Sequence, residues 1–377
     1  MRPVAWVLAA AFAALAPLAH GDDTLAADGF ETPWVSGYVV GYQRDGYPVE
    51  AIDFSVVTHL IVGRVTPRAD ATLTTHFDID PVAGPAWARQ SAAAAHAAGR
   101  RAVLMVGGAG EHAGWVAAAA PAQRERFVAN LLQAVDDFGF DGLDLDWEPL
   151  PVEDQPAFLA LAQALRAARP DLLLSVPLGW INANFATPAD PFYGRLAPLF
   201  DQINLMSYDM AGGWDGWLSW HSSALDGATG TTPSSVTISV DYYRRAGVPR
   251  GRLGIGIPFY GTCWRGVDAP RQSGGSVVAS DNVMSYRNLL TDYYAPERAQ
   301  WDAAADVPWL GAAQPFGPAG CRFVSYDDAA SIAAKAAYLR RHGLGGTILW
   351  TLAQGHLPDR PQGQRDPLLQ ALGAALR

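Results

Sequence analysis

Eight short β-branched runs alternate with alanine- and leucine-rich stretches along this chain, a rhythm that implies a parallel sheet with helices outside it. The runs are Val35–Tyr42, Thr58–Val65, Ala102–Gly107, Gly142–Trp147, Leu172–Pro177, Gln202–Ser207, Leu253–Pro258 and Gly346–Trp350. The clearest helical stretches are Pro85–Ala98, Pro121–Phe138, Gln155–Ala168, Ser234–Ala246 and Asp328–His342. Phe127, Leu131, Leu132 and Val135 give the second of these an apolar stripe at three- and four-residue spacing. Eight strands in this order predict an α/β fold, a closed (β/α)8 TIM barrel, with reactive groups at the C-terminal ends of the strands. An open doubly wound sheet is the competing architecture, but no Gly-rich phosphate loop follows the first strand.

One stretch breaks the rhythm. Residues 262–322 lie between the last two strands and are too long for a simple βα connection. They carry Trp264, Tyr286, Tyr293, Tyr294, Trp301 and Trp309. This predicts a small α+β insertion between strands 7 and 8, folded over the active face. The only two cysteines, Cys263 and Cys321, sit at its ends. A single disulfide at the base of the insertion and a pair of buried free thiols both fit that placement.

Residues 1–21 read as an export signal. Arg2 supplies the positive start, an apolar run extends from Val4 to about Leu18, and Ala19-His20-Gly21 precedes Asp22-Asp23. A retained membrane anchor is the alternative, but the run is short and alanine-rich for a span, which takes about 20 apolar residues. Residues 22–377 then form one catalytic domain, secreted and free of the membrane after cleavage. The net charge of −10 and the absence of a Lys/Arg cluster argue against a nucleic-acid partner.

The most informative residues are Phe140-Asp141-Gly142-Leu143-Asp144-Leu145-Asp146-Trp147-Glu148. Side chains alternate along a strand, so Asp144, Asp146 and Glu148 share one face. Leu143, Leu145 and Trp147 share the other and can pack on helices. In a barrel the acidic face points inward, with Glu148 at the open end. Three carboxyl groups so close cannot all ionise cheaply in a partly dry site, and at least one should keep its proton near neutral pH. A carboxyl of that kind serves as a general acid. A carboxylate metal site and a purely structural role are the other readings of this run.

The run resembles the DxxDxDxE signature of glycoside hydrolase family 18, the family of chitinases and related N-acetylglucosaminidases. Met206-Ser207-Tyr208-Asp209 is similar to the family's sixth-strand MxYD, and Ile257-Pro258-Phe259-Tyr260-Gly261 to its seventh-strand PFYG. Ser325-Tyr326-Asp327-Asp328, Gly343-Leu344-Gly345-Gly346 and Trp350 resemble its closing pattern. The resemblance implies a chitinase acting by substrate-assisted retention on chitin or N-acetylglucosamine oligosaccharides, as a monomer and with no metal or other cofactor. In that scheme Glu148 is the acid and then the base. Asp146 stabilises the charged acetamido intermediate, Asp144 shares a proton with Asp146, and Tyr208 positions the acetamido carbonyl. Met206, Asp209, Tyr260 and Trp350 line the sugar pocket. An endo-β-N-acetylglucosaminidase or another acetamido-glycan hydrolase is the competing enzyme. A non-catalytic chitin-binding lectin is the competing binder, and the presence of Glu148 favours hydrolysis over it.

Trp214, Trp217 and Trp220 recur every third residue after Asp209. In a Gly-rich stretch past a strand end they read as a sugar-stacking platform, with core packing as the alternative. Trp115, after Gly107-Gly108, reads the same way more weakly. His112, His342 and His356 read as structural or surface residues. The sequence also departs from the family pattern. Met105 stands where a third-strand serine supports the innermost aspartate, so the tuning of Asp144 is left open. Arg64 stands where an aromatic usually approaches the reactive sugar, free to pair with Asp144 or to contact substrate. Pro149 stands where many chitinases carry tyrosine.

Overall fold

A computed structural model describes residues 33–184 and 188–377, so the expected signal at residues 1–21 lies outside the described residues. Eight parallel strands form the barrel: β1 (Trp34–Val40), β2 (His59–Pro67), β3 (Arg101–Gly107), β4 (Gly142–Asp146), β5 (Leu173–Gly179), β6 (Gln202–Met206), β7 (Leu253–Pro258) and β8 (Gly346–Trp350). Each pairs with its sequence neighbour, and β1 also pairs with β8, which closes the ring. The helices outside are α1 (Ala83–Ala97), α2 (Arg124–Phe138), α3 (Gln155–Ala168), α4 (Phe192–Leu196), α5 (Val236–Arg245), α6 (Ala329–His342) and α7 (Pro367–Leu376). Among the described residues β1 is followed only by short helical turns, at Gly41–Gln43 and Val49–Ala51.

The alternation of β4 sets the two cores. Leu143, Leu145 and Trp147 are buried in the outer shell, where Trp147 stacks on Trp115 with ring centroids 5.1 Å apart and meets Phe158 edge-on. The inner core is smaller and holds Tyr38, Ile61, Val103, Met105 and Ile348, with Tyr208 and Tyr260 above them. Each large outer side chain contributes about 1.5–3 kcal/mol by burial. That burial holds β4 in place while its acidic face stays inside.

The insertion is a five-stranded antiparallel sheet with short helical turns. Its strands in spatial order are Ser276–Ala279, Thr262–Arg265, Cys321–Ser325, Val307–Phe316 and Ala299–Asp302. Cys263 and Cys321 form a disulfide, with Cα atoms 5.4 Å apart. His221, from the loop after β6, meets Asp302 of the insertion at 2.9 Å, and Arg271 pairs with the same carboxylate.

α6 begins with a capping box in which Asp328 accepts from the backbone N–H of Ser331 and Ser331 Oγ accepts from the N–H of Asp328, and it ends at Gly343 with φ of 61°. Nearly two turns in, Lys335 is fully buried. Its Nζ donates to Asp327 Oδ1 at 2.6 Å and to Ser223 Oγ at 2.8 Å. Ser223 Oγ donates in turn to the carbonyl of Ser207, at the end of β6. A buried pair like this is costly to break from one side, because the remaining charge is stranded. We expect Lys335→Met to lower stability by about 3–5 kcal/mol, read as a fall in the urea midpoint. Lys335→Met with Asp327→Leu should recover most of that loss. A single-variant loss below about 1 kcal/mol would show that the pair does not hold α6 to the barrel.

Candidate active site

The C-terminal mouth of the barrel opens into a cavity of about 560 Å3. Tyr38, Met105, Asp146, Glu148, Met206, Tyr208, Asp209, Tyr260 and Trp350 all line it, and Arg64 and Asp281 stand at its edges.

Strand register explains the acidic centre. Asp144 lies between Met105 on one side and Ser175 on the other, because β3, β4 and β5 are aligned at that level. Asp144 is fully buried. Ser175 Oγ donates to its Oδ1 at 2.5 Å, and Tyr38 Oη donates to its Oδ2 at 2.8 Å. Support for Asp144 therefore comes from β5 and β1, while β3 contributes the apolar Met105. Burial pushes the Asp144 carboxyl up to about 6, against the two hydrogen bonds that favour its charged form, and the charge of Glu148 pushes the same way as burial.

Asp146 sits one level higher and is almost as buried. Burial raises its carboxyl well above the ordinary range; the charge and hydrogen bond of Glu148 and the charge of Asp144 raise it further, and Arg64 acts against them. Its Oδ1 is buried with no hydrogen-bond partner among the described residues. Its main chain is held firmly. The N–H of Gly108 and the indole N–H of Trp115 both donate to the Asp146 carbonyl, at 2.6 and 3.1 Å. Gly107, with φ of 91°, allows this approach, since a Cβ there would stand 2.1 Å from Trp115 Nε1 and 2.5 Å from the Asp146 carbonyl oxygen.

Across the cavity, burial and the charge of Glu148 raise the Tyr208 phenol well above its ordinary range, so it stays protonated and can donate. Its hydroxyl has no partner among the described residues. Tyr260 Oη donates to Asp209 Oδ2 at 2.8 Å, and Ser222 Oγ accepts from the N–H of Asp209 at 3.0 Å. Trp350 tilts against Tyr38 with ring centroids 5.3 Å apart. Its indole N–H donates to Asp281 Oδ1 at 3.2 Å, and Gln354 Nε2 donates to the same oxygen at 2.6 Å.

Several readings of the sequence are corrected by this geometry. Trp115 is fully buried against Phe127 and Trp147 and is not in the wall of this cavity. It positions Asp146 from behind and cannot stack on a ligand. Trp220 is also fully buried, donates to the carbonyl of Ser234 and lies under the Arg271 guanidinium. The three tryptophans after Asp209 therefore form no common platform. Trp214 is exposed and pairs with Trp180, from the end of β5, at 6.0 Å. Trp217 is half-buried and outside the cavity wall. Arg64 does not pair with Asp144. It meets Asp78 at 3.2 Å and Glu111 at 3.5 Å, and donates to the carbonyl of Gly107 at 2.8 Å. Sequence reasoning missed Tyr38, Ser175, Asp281 and Trp180. Aligning β4 with β5 by their inward positions was the one signal that could have found Ser175.

The sequence profile of the glycosyl hydrolases family 18 matches residues 35–355. The chain is 28% identical over 356 residues to probable chitinase 10 of Drosophila melanogaster, covering 87% of this chain and 15% of that protein. It is 29% identical over 383 residues to chitinase B of Serratia marcescens, covering 78% of this chain and 75% of that one. The crystal structure of the Ostrinia furnacalis group IV chitinase shares the fold with a TM-score of 0.78 at 24% identity, covering 91% of this chain and 99% of that chain.

The linked carboxyls can be tested by titration. With carboxyl-labelled aspartate followed by 13C NMR, Asp144 should titrate near 6. Tyr38→Phe removes a bond that favours the carboxylate and should move that midpoint up by roughly one pH unit. Asp144→Asn removes a neighbouring negative charge and should move Asp146 down. A Tyr38→Phe midpoint that stays put or falls would refute the support assigned to Tyr38.

Proposed function

We propose, from the premise that the chain belongs to family 18 of the glycosyl hydrolases, that it is a chitinase cleaving β-1,4 linkages between N-acetylglucosamine units by substrate-assisted retention. The observation that carries this reading is the buried Asp146 Oδ1, without a partner among the described residues, beside Glu148 and facing the same cavity as Tyr208. A carboxyl raised this far is a poor anionic nucleophile. It is well suited to accept an amide N–H, and a 2-acetamido sugar supplies both that N–H and an internal nucleophile.

Glu148 donates a proton to the glycosidic oxygen as the bond to the anomeric carbon breaks. The acetamido carbonyl oxygen attacks that carbon and forms an oxazolinium ion. Asp146 passes its proton down to Asp144, accepts the acetamido N–H as a carboxylate and offsets the positive charge. Tyr208 donates to the carbonyl oxygen and holds it on the attack line. Glu148 then takes a proton from water, which opens the ring with the original anomeric configuration. Asp144 lies below the reaction; its charge helps keep the proton on Asp146 in the resting site, and it takes up that proton as the oxazolinium ion forms. Trp350 forms the floor of the sugar site, with its rotamer held by Asp281. Met206, Asp209, Tyr260 and Arg64 complete the walls, and the exposed pair Trp180 and Trp214 offers a stacking surface beyond them. The N-terminal residues fit export to the periplasm or outside the cell, where an insoluble polymer would be met.

The N-acetylglucosamine pentamer tests this directly. Wild type should release short products that begin as the β-anomer. Glu148→Gln should lose about 10²–10⁴-fold in kcat, the usual weight of general acid–base catalysis, while still binding the pentamer. Fully deacetylated pentamer should not be cut, because it lacks the internal nucleophile. Initial α-anomers, or turnover of the deacetylated chain at a comparable rate, would rule out the mechanism.

A further inference from the structure

A second cavity, of about 670 Å3, lies outside the catalytic one and shares no lining residue with it. Three parts of the chain build it. The insertion supplies Tyr286, Tyr294 and, from its edge strand, Trp301. The entry to α6 supplies Tyr326 and Asp328, and the segment before α7 supplies Arg360 and Gln364. Tyr294 and Trp301 are 42% and 43% exposed, a large apolar surface left open to solvent on a structured wall.

The polar atoms around these rings are uncommitted. Among the described residues no side-chain hydrogen bond is made by the hydroxyls of Tyr286, Tyr294 or Tyr326, the Trp301 indole or the Arg360 guanidinium. The Gln300 and Gln364 amides are equally free of side-chain partners there. Asp328 spends one oxygen on capping α6, and burial, helped by the charge of Asp328, raises the Tyr286 phenol to about 12. The Tyr286 phenol, and that of Tyr326, which burial also raises, therefore remain donors at neutral pH.

This combination narrows the ligand. A purely aliphatic molecule would strip water from those polar groups and return no hydrogen bonds. An anion would face Asp328 as well as Arg360, and a cation the reverse, so the wall carries no net charge of either sign. Flat aromatic faces ringed by phenols, amides and one charge of each sign match a neutral ligand with apolar faces and many hydroxyls. We propose that this second cavity is a binding site for a neutral saccharide, taking a short stretch of the same N-acetylglucosamine polymer. The identity of the sugar rests on the reading of the catalytic site, while the saccharide class rests on this wall alone. One segment contributes to both cavities. Asp281 lines the catalytic side, and Tyr286, whose N–H donates to the carbonyl of Phe259, lines the other. Such a site would hold insoluble polymer near the catalytic mouth without touching the reacting unit.

The test is calorimetric titration of the full chain carrying Glu148→Gln with the N-acetylglucosamine tetramer. Two binding events are expected. Adding Trp301→Ala and Tyr294→Ala should weaken one of them about tenfold or more and leave the other. Trp301→Phe should retain both, because it keeps an aromatic face. In the otherwise wild-type chain, Trp301→Ala with Tyr294→Ala should leave hydrolysis of soluble tetramer unchanged, which also reports that the variant folds, and should lower adsorption to solid chitin. A single event in Glu148→Gln that the two alanine substitutions leave intact would overturn the second site. Failure of wild type to cut the tetramer would instead overturn the catalytic reading. An event lost on the two alanine substitutions would still stand as the second site.

Discussion

The carboxyl of Asp144, buried at the centre of the barrel, is the constraint around which the rest of the site is arranged. A carboxyl group with no access to water needs hydrogen bonds, or it keeps its proton. Two donors reach it, from β5 and from β1, and both lie on inward-facing positions that closure of the ring brings close. Burial raises Asp144 to about 6, and these bonds work against that rise and favour its charged form. Its charge then bears on Asp146, which is already raised by burial and by Glu148. The tuning of the upper carboxyls is thus set two levels below the place where substrate would sit. An apolar Met105 in the third strand is compatible with this, because its neighbour across β4 supplies the serine hydroxyl.

Two separate networks hold the two halves of the mouth. On the carboxyl side, the Asp146 carbonyl is pinned by the Gly108 N–H and the Trp115 indole, and Trp115 is itself locked by stacking on Trp147. On the tyrosine side, Ser222 and Ser223 return beneath Tyr208 and Asp209, and Lys335 ties that return to α6. Arg64 bridges neither half by charge alone. Paired with Asp78 and Glu111, it belongs to a cluster with one positive and two negative groups. It closes the rim and tempers Asp146 without offering a free cation to a ligand.

The fold was legible because its signal is periodic. Eight apolar runs, a two-residue alternation in β4 and an insertion too long for a loop all survive into the structure, with boundaries shifted by a residue or two at either end of the strands. The acidic run was legible for the same reason, since alternation alone places Asp144 and Asp146 inside and Leu143, Leu145 and Trp147 outside. Tyr38 and Ser175 were not legible, because their partnership with Asp144 depends on strand register and on ring closure between distant parts of the chain. Trp115 and Trp220 misled for a related reason. A tryptophan after a glycine-rich strand end looks the same in sequence whether it faces solvent or packs under the loop, and here both found buried carbonyls for their indole N–H groups.

The insertion does more than wall the mouth. Asp281 accepts from Trp350 and from Gln354, so a residue of the insertion fixes the orientation of the aromatic floor contributed by the last barrel strand. The opposite end of the insertion is tied down by Asp302, held by buried His221 from the loop that follows the Tyr208–Asp209 pair. Burial of that imidazole lowers its proton affinity, and the carboxylate beside it works the other way. Both attachments land next to residues of the catalytic cavity. A displacement of the insertion would therefore reach Trp350 on one side and Asp209 on the other. The same segment that carries Asp281 runs on to Tyr286 at the second cavity. The mouth of the barrel and the aromatic wall of the second cavity thus share one short stretch of chain, held at Asp281 by Trp350 and Gln354 and at Tyr286 by the Phe259 carbonyl.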